Sequence, residues 1–152
     1  MNKTLIVNEF LKFLETIEIL RSENGCPWDK VQTPESMRGA LIEEAIEASS
    51  AISEKNPCHA KEELGDLFLN TLMISYMYEQ NNDFSVDSVI SSLTEKLIRR
   101  HPHVFKESEG ASEMKGNVSS STQVLEQWNK IKDNVEARKK NHILDEVPEN
   151  LP

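Results

Sequence analysis

TPESMRGALIEEAIEASSAISEKNPCHAKEELGDLFLNTLMISYMYE, residues 33–79, decides the fold. It contains two start signals of one kind, Thr33-Pro34 and Asn56-Pro57. In each, a side chain able to accept from an orphan N–H precedes a proline whose fixed φ suits the first helical position. They predict one helix running to about Glu54 and a second to about Glu79. A connection that short makes the two antiparallel neighbours.

Outward from this pair the chain stays helical. Ile6, Phe10, Phe13, Leu14, Ile17 and Leu20 recur at helical spacing over residues 4–21. The turn-rich SENGCPWDKVQT (22–33) then breaks the pattern. Ser85 caps a fourth helix, which ends before Pro102 because proline cannot continue it and restrains His101. Residues 106–120 are polar and contain glycine, which predicts a mobile loop. A fifth helix is expected over about 121–140, and 141–152 form a tail. The expectation is an all-α antiparallel helical bundle of about five helices, a single domain over 1–140.

Composition narrows the function. In 152 residues, five glycines and six prolines are too few for the many turns of a sandwich or barrel. The longest charge-free apolar stretch, Leu67 to Tyr78, falls well short of the ~20 residues that span a bilayer. The start lacks a signal-peptide pattern, and Cys26 and Cys58 make neither a disulfide scaffold nor a zinc set, so a cytoplasmic protein with no membrane partner is expected. A net charge of −9 disfavours duplex nucleic acid as a partner. The charge is also uneven: residues 35–66 carry eight acids against three bases, whereas 96–106 carry four bases and no acid. Such blocks suit a metal site beside a polyanion site, or two solvated helix faces.

At about 100° per residue, Glu44 and Glu47 project together from one helix, and Glu63 and Asp66 from the next. Two antiparallel helices bearing such i, i+3 pairs can converge four carboxylates on one point. A divalent cation would relieve their repulsion, and all-oxygen ligation selects Mg²⁺ or Mn²⁺ over zinc or copper. Two readings stay open on periodicity alone. Glu43, Glu44 and Glu47 lie opposite an apolar arc, where solvent-facing acids sit. The stripe of Glu63 and Asp66, however, continues as Asn70, Met73, Ile74 and Met77; a face acidic at one end and apolar at the other reads as buried, and buried carboxylates need partners. A di-iron site is excluded, because none of the four histidines follows a glutamate by three residues.

Four stretches, GCPWDKVQT (25–33), LIEEAIE (41–47), EELGDLFL (62–69) and KLIRRHPHVF (96–105), together resemble the MazG family of nucleoside triphosphate pyrophosphohydrolases. Glu43-Glu44-x-x-Glu47 and Glu63-x-x-Asp66 fit its EE-x-x-E and E-x-x-D motifs, and the similarity spans about residues 5–135. Gly39 and Ile46 depart from the bulkier or more rigid residues common in the family. The resemblance implies Mg²⁺-dependent cleavage of a nucleoside triphosphate between the α and β phosphates. Glu44, Glu47, Glu63 and Asp66 would hold the cation, with Glu43 orienting water or pairing with a base. It also implies a homo-oligomer, for which the apolar girth of the third helix argues independently. Two other readings are a narrower substrate, dUTP or phosphoribosyl-ATP, and a helical dimer module that binds nucleotide without turnover.

A triphosphate needs cations. Lys96, Arg99 and Arg100 end the fourth helix, and Lys96 and Arg100 share a face. They either contact phosphate, for which arginine's fork is suited, or complement the helix dipole. Trp128 and Lys132, also i, i+4, either pair a base-stacking ring with a phosphate-binding ammonium or make Trp128 a core anchor. His101 and His103 read as capping or packing residues. Trp28 is expected to plug the 22–33 loop over the helices, with Cys26 a packed thiol.

Overall fold

The computed structural model describes residues 1–105 and 120–134. They form α1 (Lys3–Arg21), a 3-10 turn (Asp29–Val31), α2 (Arg38–Ser53), α3 (Pro57–Gln80), α4 (Val86–Arg100) and α5 (Ser121–Asn134). No strand occurs among the described residues, so the all-α expectation holds. Residues 106–119 of the loop expected at 106–120, the last turns of the fifth helix and the tail lie outside the described residues. The chain divides into two compact units, Met1–Val89 and Ile90–Pro152, with α4 beginning in the first and ending in the second.

In the first unit the helix starts follow the sequence, with one difference. Asn2 and Asn56 accept from the Leu5 and His59 N–H groups, each at 3.2 Å. Thr33 caps a separate turn instead. Its Oγ1 accepts from Ser36 N–H at 3.2 Å while Ser36 Oγ accepts from Thr33 N–H at 2.9 Å. This reciprocal pair has the logic of a capping box, but it is used within residues 34–37, and α2 begins only at Arg38. At α4, the Val86 N–H donates to Glu79 Oε2 at 2.6 Å, a long-range cap that the Ser85 signal does not announce.

The ends of α2 and α3 share one device. Lys55 and Asn82 take left-handed conformations (φ 56° and 62°). The Lys55 and Asn56 N–H groups donate to Ile52 and Ala51, and Asn82 and Asp83 to Glu79 and Tyr78, at 3.0–3.2 Å. These are Schellman closures, which satisfy the last carbonyls and turn the chain. The first of them, followed at once by the Asn56 cap, folds α3 back antiparallel to α2, and the two pack along each other.

The core of this unit gathers Ile17 from α1, Met37, Leu72, Met73 and Met77 from α3, and Val86, with Phe13, Leu14 and Leu69 packed against them. Phe68 meets the rings of Phe10 and Phe13 at 6.1 and 5.6 Å. The expectation for Trp28 fails: it is 60% exposed. Arg21 organises the 22–33 loop in its place, donating to the Asp29 and Gln32 carbonyls and to Gln80 Oε1. A guanidinium's five donors can tie several backbone carbonyls at once, which an indole cannot. The chain passes so close over the end of α1 that a Cβ on Gly25 would lie 2.2 Å from the Ile19 carbonyl oxygen.

In the second unit, α5 opens on a Ser120–Gln123 capping box, with bonds of 3.2 and 3.3 Å. Ile131, Pro102, Gln127 and Arg100 are buried, and His103 Nδ1 lies 2.9 Å from Gln127 Oε1.

Candidate functional site

The α2–α3 hairpin sets the acids. Glu44 on α2 and Glu63 and Asp66 on α3 each offer a carboxylate oxygen within 4.8 Å of the others. The three differ in depth: Glu63 is buried, Glu44 half-buried and Asp66 exposed. Glu43 and Glu47 are exposed and fall outside this group of three, so the structure joins three of the four expected ligands. Glu47 is not remote, however. Partial burial pushes the Glu44 carboxyl above its ordinary value, and the charges of Asp66, Glu47, Glu63 and Glu43 push it further.

Glu63 does not stand alone. His59 Nε2 lies 3.0 Å from Glu63 Oε1, and His59 Nδ1 lies 3.8 Å from Glu54 Oε2. This imidazole holds the buried carboxylate at a fixed orientation, the part that groups behind a metal ligand play. The Glu-x-x-His pattern of a di-iron site does not reveal this pair; the i, i+4 spacing of His59 and Glu63 is the signal the sequence carries for it. The stripe beyond the acids is as expected. Asn70, Met73 and Met77 are all buried, with Ile74 half-buried.

The three acids suit a small hard cation. Metal–oxygen distances of about 2.1 Å for Mg²⁺ put opposite ligand oxygens about 4.2 Å apart. Modest side-chain rotation closes 4.8 Å to that span, and no sulfur or nitrogen donor belongs to the group. A cation also answers the repulsion registered at Glu44.

The second unit gathers cations round a ring. The Arg100 guanidinium and the Lys132 ammonium each sit 5.8 Å from the centroid of Trp128, within cation–π range. His101 meets the same ring edge-on at 5.4 Å. Arg100 is only 9% exposed, and Lys96 and Arg99 are half-buried, so this block is more than a solvated helix end. Trp128 Nε1 is sealed from solvent and has no hydrogen-bond partner among the described residues. Cys26 is half-buried, as expected for a packed thiol. Gly39 is exposed, and a Cβ there would meet nothing within 4 Å, so the departure at that position costs no packing.

Comparison with known proteins bears on the same residues. The MazG nucleotide pyrophosphohydrolase domain family matches residues 32–105, which include all five acids and the 96–100 basic block but not Trp128 or Lys132. The chain is 40% identical over 148 residues to the uncharacterized protein YabN of Bacillus subtilis (strain 168), covering 97% of this chain and 29% of that one. It is 39% identical over 143 residues to the nucleoside triphosphate pyrophosphohydrolase/pyrophosphatase MazG of Thermotoga maritima, covering 94% and 51%. The chain thus spans about half, or less, of the length of these relatives. The crystal structure of a mazG-related protein from Thermotoga maritima matches with a TM-score of 0.63 at 26% identity, over 80% of this chain and 97% of that one. Residues 32–105 of the chain are a MazG nucleotide pyrophosphohydrolase domain.

Proposed function

We propose that the protein hydrolyses nucleoside triphosphates to a nucleoside monophosphate and pyrophosphate, with Mg²⁺ as cofactor. The observation that carries this is the convergence of Glu44, Glu63 and Asp66 within 4.8 Å on two helices. Glu44, Glu63 and Asp66 would hold the cation, and Glu47 would join them by rotation of its exposed side chain. Bound there, Mg²⁺ supplies charge neutralisation for the phosphates and acidifies water, for which Mn²⁺ is a chemical substitute. Water oxygen adds to the α-phosphorus, the bond from that phosphorus to the α,β-bridging oxygen breaks, and pyrophosphate leaves.

The chain's own residues do the rest. His59 keeps the Glu63 carboxylate oriented. Glu43, exposed beside Glu44, orients water. Arg100 and Lys132, held against Trp128, bind phosphate oxygens together with Lys96 and Arg99. Phosphoryl transfer asks for positioning and charge stabilisation more than for covalent chemistry, which is what these side chains offer. Exposed apolar pairs one helical turn apart, Val7 with Leu11 and Leu64 with Phe68, support a homo-oligomer. No helix among the described residues is long and apolar enough to cross a membrane. The substrates are metabolites of the cytoplasm, where we place the reaction.

The test is pyrophosphate release from a panel of nucleoside triphosphates, dUTP and phosphoribosyl-ATP, with Mg²⁺ and with chelator. Release that requires Mg²⁺ and is lost in Glu63→Gln is expected. Nucleotide binding without release from any substrate would reduce the protein to a binding module. Light scattering that gives a lone 17.3 kDa species at micromolar concentration would remove the oligomer.

A further inference from the structure

Asn70 occupies α3 one turn beyond Asp66 and two beyond Glu63. At about 100° per residue it lies within about 40° of both round the helix axis. It is 6% exposed, yet its carboxamide makes no hydrogen bond with the described residues. Its amide is not among the partnerless atoms wholly sealed from solvent, so some solvent reaches it. A leucine of similar shape would bury more apolar surface in a face that continues as Met73 and Met77, so the amide brings no packing gain. The fold gives no structural return for this side chain, which directs attention to a ligand.

We infer that Asn70 binds the base of the nucleotide. The inference rests on the proposed hydrolysis, since it takes the substrate's phosphates to lie at the acid group. Phosphates demand charged partners. A neutral carboxamide offers a donor beside an acceptor, the complement of a base edge. At 1.5 Å per residue Asn70 stands about 6 Å along α3 from Asp66, far enough for a sugar to intervene. Its flank is apolar, as suits the face of a base and not a triphosphate.

The experiment compares wild type with Asn70→Leu on ATP, GTP, CTP and UTP, with inorganic tripolyphosphate plus Mg²⁺ as an inhibitor that has charge and no base. KM should rise roughly 10-fold or more, the scale of an unmade hydrogen bond. The rise should differ among the bases and kcat should change far less. Tripolyphosphate should inhibit both proteins equally, and Asn70→Leu should melt at or above the wild-type temperature. Asn70→Ala, which cannot clash, repeats the comparison should the leucine fail to fit. Unchanged KM on all four nucleotides overturns the inference. So does a matching loss of tripolyphosphate inhibition, which would put Asn70 at the phosphates or the cation, and so does a sharp fall in melting temperature for both variants. A wild-type protein inactive on every substrate would sink the hydrolysis reading and this one with it. Failure of the variants alone, on an active enzyme, touches only Asn70.

Discussion

The acid face of the α2–α3 hairpin and the cation group of α4 and α5 carry opposite charge and are assembled in opposite ways. The acids come from two helices joined by three residues, locked by a Schellman closure and an asparagine cap. Three of the five, Glu43, Glu47 and Asp66, are exposed, and their mutual repulsion registers at Glu44. The cations are held by packing. Arg100 is nearly buried, and a tryptophan 28 positions along the chain bears both it and Lys132. The first group is electrostatically strained and the second is held by packing, and the proposed function gives both a chemical part as well. Substitutions should therefore separate function from stability in the first region and couple them in the second.

The largest effect is expected at Asp66. Asp66→Asn removes a ligand charge from the group, and losing charge stabilisation worth several kcal/mol should lower kcat by about 10²-fold or more. Melting temperature without Mg²⁺ should hold or rise, because one like charge has gone. A clear loss of stability in the metal-free protein would mean that the acids are structural, and the contrast between the regions would break.

Arg100→Ala comes next. Loss of a hydrogen bond to a charged group is worth about 1.5–3 kcal/mol in nucleotide affinity, and it should be the same for every base because phosphate is common to all. Unlike Asp66→Asn, this change should also lower the melting temperature, since Arg100 is packed on Trp128. Wild-type kcat/KM on purine and pyrimidine triphosphates alike would return Arg100 to a purely structural role. A smaller effect is expected at the ring. Trp128→Ala removes two cation–π contacts worth about 0.5–1 kcal/mol each where partly exposed. Its kinetic loss should be uniform across bases if the ring's part is to hold the cations, and steady-state kinetics on the same four substrates reads this directly. A base-dependent loss would restore stacking.

The two regions also differ in how far they were legible. Helical periodicity fixes which side chains share a face, so Glu44, Glu63 and Asp66 converge as their spacing implies, and the buried stripe through Asn70, Met73 and Met77 follows from the same arithmetic. Turn chemistry was read correctly at Asn56-Pro57. It went astray at Thr33-Pro34, where Ser36 answers the cap within its own turn, a competition between side chains that composition does not rank. Contacts through space left weaker traces. Glu79 capping α4 across seven residues, Arg21 replacing Trp28 as the organiser of the loop, and Arg100 meeting Trp128 all depend on tertiary placement, which no periodicity encodes. His59 stands four residues before Glu63, so this one contact is written in the helical spacing itself.

The smallest expected effect probes the strain itself. The folded Glu44 carboxyl holds its proton to a higher pH than it would in the unfolded chain, because partial burial and then Asp66, Glu47, Glu63 and Glu43 disfavour its charge. From the ordinary value near 4.5 upward to the raised folded value, the native state therefore binds more protons than the unfolded one. Stability must fall as pH rises through that window, and the whole penalty is present above it. Glu44→Gln abolishes the penalty. The metal-free variant should be more stable than wild type at pH 7, by on the order of 0.5 kcal/mol, the scale of like-charge pairs on helix surfaces. The advantage should vanish below the window, where wild-type Glu44 is protonated in both states. Mg²⁺ should invert the order at pH 7, since the wild-type acids gain a ligand and the variant keeps fewer charges to hold it. Thermal melts at pH 3.5 and pH 7, with and without Mg²⁺, give the four numbers. A variant less stable than wild type at pH 7 without metal would mean that Glu44 is paired and not strained, and the acid face would then resemble the cation group it is contrasted with.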